Sequence, residues 1–331
     1  TLMIKITNFD VGQADCILIH FEKGEKGKNN YQYFNLLVDG GYKSSDIASK
    51  LWTCLEDETI QGIVVTHVDR DHISGILGMV SDRMEKIKDA FLLFNKYDEN
   101  LISYSEAKEL AEQFQKKFSS NIQIKSYEQS FSLELMEKIN CNEKFLNVEI
   151  MSLGQRRKCP GIDAEKVIIT VLGPSIERIT RFMRNWHSDK RDPKTTNEAS
   201  VVLLLEFDGK AILMSGDGEY SEIRGALSKI TNIEKIDVMK AAHHGAAANN
   251  IGLKEIAIKY HCPEIFFTID EKKYSREKKH PDLKLLKELK EVETLTDHKE
   301  MIHLTCSSAI TDADLLEYLE CQTEIILEAS V

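Results

Sequence analysis

Long apolar runs, paired cysteine motifs and nucleotide-binding loops are all missing from this sequence, and each absence removes a class of function. No stretch approaches the ~20 apolar residues of a membrane-spanning helix. No charged-then-apolar segment opens the chain in the manner of a secretory signal. The 7 cysteines are odd in number and form no CxxC pair, so neither a disulfide framework nor a zinc knuckle is expected; free thiols in a reducing, cytoplasmic setting are. Gly12 and Gly40-Gly41 make neither a P-loop nor a GxGxxG turn, which excludes a triphosphate cradle. Serine and cysteine nucleophile motifs are also absent. Only 5 prolines occur and no low-complexity tract separates segments, so the 331 residues are expected to share one large buried core. Positive charge is the minority: 43 Lys+Arg against 54 Asp+Glu give a net charge of −11, which argues against a non-specific coat on duplex DNA.

What is present is a strand-rich pattern in two blocks, each interleaved with helices. Alternation and short apolar runs predict strands over 3–11, 16–21, 33–38, 63–66, 90–94, 148–153, 167–172, 200–207, 211–214, 236–242 and 265–269, with a closing hairpin within 295–304. Helical stripes are predicted over 46–55, 105–118, 132–139, 175–186, 221–230, 253–260 and 281–289, and a terminal helix over 311–319. Two mixed sheets packed face to face, with helices outside, fit that order. A hydrolase domain is expected over 1–305, with an insertion at about 86–165, followed by a helical extension, 306–331, packed on the same domain.

Chemistry concentrates at the ends of strands. Ile63 to Thr66 runs directly into His67-x-Asp69-x-Asp71-His72, two imidazoles and two carboxylates within six residues. A divalent ion satisfies both their charge and their lone pairs; the bland alternative is a solvated acidic loop. Three further strand ends weaken that alternative: Val38-Asp39-Gly40-Gly41, Ser215-Gly216-Asp217 and Ala242-His243-His244-Gly245.

With those segments in place, the chain resembles the metallo-β-lactamase superfamily, and within it the hydrolase domain of ComEC-type DNA-uptake proteins. The resemblance runs from about Ile4 to Leu304. It rests on Phe9-Asp10-Val11-Gly12-Gln13-Ala14-Asp15, the His/Asp motif, Val171-Leu172-Gly173-Pro174, Asn197-Glu198-Ala199-Ser200, Ser215-Gly216-Asp217, His243-His244-Gly245, His280-Pro281 and Thr296-Asp297. It implies an αββα sandwich with a dinuclear site between the sheets. His67 and Asp69 would serve one metal, Asp71 and His72 the other, and Asp217 would bridge them. His243, with His244 as the alternative, would complete the second site, and Asp39 would hold a ligand in orientation. Asp69 stands where the commonest superfamily motif has His, as in the ComEC-like branch. The only histidine between His72 and Asp217 is His187, and Asn197 matches the Asn of the ComEC-like pattern, so it is carried as a metal candidate. A site poorer in nitrogen makes Mn²⁺ a candidate beside Zn²⁺.

Such a site would activate a water shared between two metals for hydrolysis. Asp71 would orient that water, and His244 or His280 would protonate the leaving oxygen. Arg178, Arg181, Arg184, Lys190, Arg191 and Lys194 form one basic stretch; Lys272, Lys273, Arg276, Lys278 and Lys279 form another beside His280. Of these, Lys273, Arg276 and Lys279 are the expected substrate contacts, and the substrate expected is a phosphate ester: single-stranded nucleic acid or a nucleotide. Hydrolysis of a carboxylic ester, lactone or amide is the second expectation, and a metal-stabilised regulatory subunit without catalysis the third. A homodimer or a place in a larger system is compatible with the sequence, and no membrane partner is expected.

Overall fold

A computed structural model describes residues 2–42, 45–67, 69–87, 90–94, 147–150, 156–159, 162, 167–175, 177–178, 181–182, 193–274, 280–294 and 300–329. The predicted helices at 105–118 and 132–139 lie outside the described residues.

The first block of strands builds a seven-stranded sheet, in the order β17-β1-β2-β3-β4-β5-β6. Its members are β1 (Leu2–Asn8), β2 (Ile17–Lys23), β3 (Gln32–Val38), β4 (Gly62–Val65), β5 (Phe91–Phe94), β6 (Asn147–Ile150) and β17 (Glu324–Ala329). The second block builds an eight-stranded sheet, β16-β15-β12-β11-β10-β9-β8-β7. It comprises β7 (Arg156–Cys159), β8 (Val167–Gly173), β9 (Val202–Phe207), β10 (Lys210–Met214), β11 (Val238–Lys240), β12 (Glu264–Phe267), β15 (His303–Cys306) and β16 (Glu320–Cys321). A short hairpin pairs β13 (Glu293–Thr294) with β14 (Glu300–Met301). Asp208 and Gly209, both at positive φ, turn β9 into β10, as the Asp-Gly pair predicts.

Strand alternation sorts side chains into layers. Ile4, Ile6, Ile19, Phe21, Leu36 and Val64 of the first sheet meet Val171, Leu203, Leu205, Ile212 and Val238 of the second in one core. Phe21 stacks edge-on against Phe207 across the two sheets, with centroids 5.3 Å apart. Phe21→Ala is therefore expected to cost about 3–5 kcal/mol, read from denaturant unfolding of the full chain, because it empties a site closed on both sides. The alternate residues Val202, Leu204, Ala211 and Leu213 face outward onto α4 (Tyr220–Ile230), α5 (Leu253–Lys259) and α7 (Leu283–Lys290), through Tyr220, Ile223, Leu227, Ile256, Leu286 and Leu289. On the first sheet, α1 (Ser45–Leu55) packs on α2 (Arg70–Asp82), with Ile47, Leu51 and Ile76 buried. The result is an αββα sandwich.

Two expectations change. The residues expected as an insertion, 86–165, supply β5 and β6 to one sheet and β7 to the other. The extension expected to be helical makes one helical turn, α8 (Ala313–Leu316), and then two strands; β17 pairs antiparallel with β1. An open strand edge with unpaired backbone groups outweighs the weak helical preference of that segment. Cys16, Cys54, Cys262, Cys306 and Cys321 are free, as expected. No helix among the described residues is long and apolar enough to cross a membrane.

Candidate metal centre

Parallel pairing of β3 with β4, and of β11 with β10 and β12, brings the ends of these strands to one edge of the sandwich. Asp39 follows β3, His67 follows β4, Asp217 follows β10, His243 and His244 follow β11, and Thr268 follows β12. Asp71 and His72 open α2, which lies hard against the β3 end. A Cβ on Gly75 would sit 1.7 Å from the Gly40 carbonyl, so only glycine permits this approach. Gly40 N–H donates to His72 O at 2.8 Å and Gly75 N–H to Gly41 O at 2.9 Å.

Each of four histidines uses Nδ1 to grip the protein. His72 Nδ1 bonds Asp39 Oδ2 at 2.7 Å. His244 Nδ1–H donates to the Thr268 carbonyl at 2.9 Å. His243 Nδ1–H donates to Asn249 Oδ1 at 3.2 Å, and Asn249 is itself oriented by donating to Asp217 O at 2.9 Å. His67 Nδ1 lies 3.1 Å from the Thr66 hydroxyl and 3.2 Å from that of Ser200. Thr66 gives its proton to Asp39, so its oxygen is left to accept from the imidazole. The Thr268 carbonyl fixes the proton of His244 on Nδ1 and leaves its Nε2 the lone pair, and the Nδ1 contacts of the other three leave their Nε2 atoms facing the carboxylates, the arrangement a metal ligand needs.

Those Nε2 atoms turn toward carboxylates at distances too long for hydrogen bonds and short enough to share a cation. His67, His72 and His243 lie 3.9, 3.6 and 3.8 Å from Asp217 Oδ2. His67 is also 3.8 Å from Asp69, and Asp71 stands 4.0 Å from His72 and 3.6 Å from His244. His67 Nε2, His72 Nε2 and Asp217 Oδ1 are buried with no hydrogen-bond partner among the described residues. Burying such groups without a counterpart is costly. The donor set and its orphaned atoms fit divalent metal ions. Asp15, His72 and His244 also lie close together. There, however, Asp15 already pairs with Lys240 Nζ at 2.7 Å and accepts from Thr268 at 2.6 Å.

With no cation present, burial and the surrounding carboxylates act against each other. Burial, followed by the neighbouring His72, lowers His67 to about 3. Burial would lower His72 too, but Asp217, Asp39 and Asp15 outweigh it and hold that imidazole well above its ordinary value. Burial raises Asp39, with His72 opposing. For Asp71, burial is overcome by the nearby imidazoles of His244 and His72, and the carboxyl falls below its ordinary range.

Several expected residues find different surroundings. It is His244, almost fully buried, that faces Asp71; His243 is partly exposed and stacks near His280, with centroids 5.6 Å apart. Asn197 Nδ2 lies 3.2 Å from His243 Nδ1, and its buried Oδ1 has no partner among the described residues. In the first basic stretch the described cations, Arg178, Arg181 and Lys194, each face glutamates, which corrects their reading as part of an anion rim. Arg178 bonds Glu219 and Glu222, and Arg181 bonds Glu177 and Glu198. Lys194 lies 3.6 Å from Glu198; Arg184, Lys190 and Arg191 are outside the described residues. In the second stretch, Lys272 and Lys273 lie on α6 (Glu271–Tyr274), whereas Arg276, Lys278 and Lys279 are outside the described residues. Sequence reading missed Asp15, Thr66, Ser200, Lys240, Asn249, Asn250 and Thr268. Only Asp15 and Ser200 sit in segments that already carried the family resemblance.

No family profile matches this sequence, and no curated protein does. Solved structures with a similar course of chain include human tRNase Z, short form (TM-score 0.38, 8% identity, covering 99% of this chain and 100% of that one). Another is CmlA, a diiron β-hydroxylase from Streptomyces venezuelae (TM-score 0.39, 12% identity, 79% of this chain and 44% of that one). A third is a β-lactamase domain protein from Burkholderia ambifaria (TM-score 0.31, 11% identity, 64% of this chain and 50% of that one). The chain thus spans half or less of the length of the latter two. At scores this low, the likenesses carry no function over to this chain.

Proposed function

We propose that the protein is a metal-dependent hydrolase with a dinuclear site, acting on phosphoester bonds. The observation that carries the metal reading is the four-histidine arrangement, with every Nδ1 engaged and every Nε2 turned toward Asp69, Asp71 or Asp217. His67 and Asp69 would hold one ion and Asp71, His72 and His244 the other, with Asp217 shared. His243 and Asn197 lie beside the first ion's position. Charge supports the reading: Asp15, Asp39, Asp69, Asp71 and Asp217 crowd the site against the single lysine Lys240, an excess of carboxylates that cations would offset.

Two such ions supply Lewis acidity and an activated water when bound. The residues of the chain do the positioning. Asp71, a quarter exposed, stands at the mouth where an incoming water would be oriented. His280, whose ring lies 5.6 Å from that of His243, would give a proton to a leaving oxygen. The choice of phosphoester rests on Asp69 and the ComEC-like resemblance, and nucleic acid or nucleotide is the substrate class it implies.

The test is metal analysis followed by a substrate panel. Purified chain is expected to carry about two divalent ions. It should cleave bis-p-nitrophenyl phosphate, single-stranded DNA, RNA or a cyclic dinucleotide with Mn²⁺ or Zn²⁺. Cleavage of a lactone or carboxylic ester alone would replace the phosphoester reading. Metal bound without any turnover would favour the regulatory subunit.

A further inference from the structure

Three consecutive residues, His243, His244 and Gly245, run through left-handed backbone at φ 46°, 54° and 85°. Glycine takes this conformation freely, whereas a side chain on Cβ makes it unfavourable for both histidines. Two such residues in a row persist only where their surroundings over-determine them. Ala241, two residues before the run, and Ala246, just after it, are at φ −64° and −61°, so the unusual backbone lies between them.

One side chain spans the turn. Asn250 Oδ1 accepts from Ala242 N–H at 2.9 Å, and Asn250 Nδ2 donates to the carbonyls of Ala242 at 2.8 Å and Ala246 at 2.7 Å. Both amide hydrogens and the amide oxygen are used, on backbone groups whose donor or acceptor character is fixed. The side chain is buried, so water does not compete for these bonds. The turn it closes sends adjacent imidazoles to different places: His244 inward, 3.6 Å from Asp71, and His243 toward the opening. Ordinary backbone at these positions would not aim His244 at both Thr268 and Asp71.

We infer that Asn250 is a positioning residue that selects His244, rather than His243, as the ligand completing the second metal position. The inference rests on the dinuclear reading proposed above. Residues that orient metal ligands typically change metal affinity by about 10–100-fold when removed. Asn250→Ala should therefore weaken the second equivalent of Zn²⁺ or Mn²⁺ by about 10–100-fold and leave the first near its wild-type affinity.

The measurement is chelator competition on the full chain, with metal stoichiometry by elemental analysis. Imidazole nitrogen NMR of the metal-free protein supplies a second readout. Wild-type His244 is expected as the Nδ1–H tautomer, and Asn250→Ala should lose that single-tautomer signal. If Asn250→Ala does not fold, Asn250→Asp keeps the acceptor for Ala242 N–H and loses both donors, and the same selective loss is expected. Equal weakening of both metals, or unchanged affinity for both in a folded variant, would overturn the inference. A wild-type chain that binds no metal would sink the dinuclear reading and the inference with it. A metal-binding wild type with an indifferent Asn250 variant sinks the inference alone.

Discussion

Asp217→Asn is expected to lose bound metal and hydrolysis together. Asp217 is buried, and its Oδ2 faces His67, His72 and His243 at 3.6–3.9 Å. Burial alone would raise its carboxyl; His243 and His72 reverse this and hold it well below the ordinary carboxylate value. The amide keeps the shape and removes the charge that the two ions of the proposed site would share. Removing an outer residue of a metal site costs about 10–100-fold, so loss of the shared ligand should cost more than about 100-fold in hydrolysis. Metal content should fall below about one ion per chain, where the wild type is expected to hold two. Near-native circular dichroism would show that the fold survives. Wild-type metal content in this variant would contradict the assignment of Asp217.

Lys240→Met is expected to be the most destabilising single change beneath the site. The ammonium is fully buried and donates to the carbonyls of Gly216 and Ala241, both at 3.1 Å, besides pairing with Asp15. Asp15 in turn holds Thr268, which orients His244, and its N–H donates to the Asp71 carbonyl at 3.2 Å. Removing one partner strands a buried carboxylate, at a cost of about 3–5 kcal/mol in chemical denaturation. The pH dependence follows from the same pair. Burial pushes Asp15 up, but Lys240, His72 and His244 outweigh it and hold it below the ordinary value. A depressed carboxyl contributes stability above its unfolded value, near 4, which is lost as pH falls through the lower folded value. In Lys240→Met that contribution shrinks or reverses, so the loss of stability should be largest at neutral pH and should narrow in acid. Equal losses at both pH values would argue that Lys240 acts only through packing. Asp15→Asn added to Lys240→Met should recover part of the stability, because no stranded charge remains.

The sandwich and one corner of the site were legible because both are written locally. Alternation along a strand assigns alternate residues to opposite faces whatever lies across from them, so Leu203 and Leu204 could be sorted before their partners were known. His67, Asp69, Asp71 and His72 fall at one strand-to-helix corner, within reach of one another in any fold that forms the corner. The C-terminal segment was misread because β17 exists only where β1 offers an open edge, and no local pattern records that. Arg178 and Arg181 were misread for a similar reason: their glutamate partners include Glu219 and Glu222 at the start of α4 and Glu198 of α3 (Pro193–Glu198), later in the chain.

By itself, then, the sequence determined the layers and the clustering of histidines and carboxylates at the strand ends. Tertiary structure alone decided which ring nitrogen of each histidine is free, and that His244 rather than His243 faces Asp71. It also decided that Asn250 braces the turn between them and that Lys240 neutralises Asp15 beneath. The physical reason is common to all of these. Tautomer, aim and charge balance depend on single polar atoms meeting within about 3 Å, and the residues that meet are brought together only when both sheets have closed.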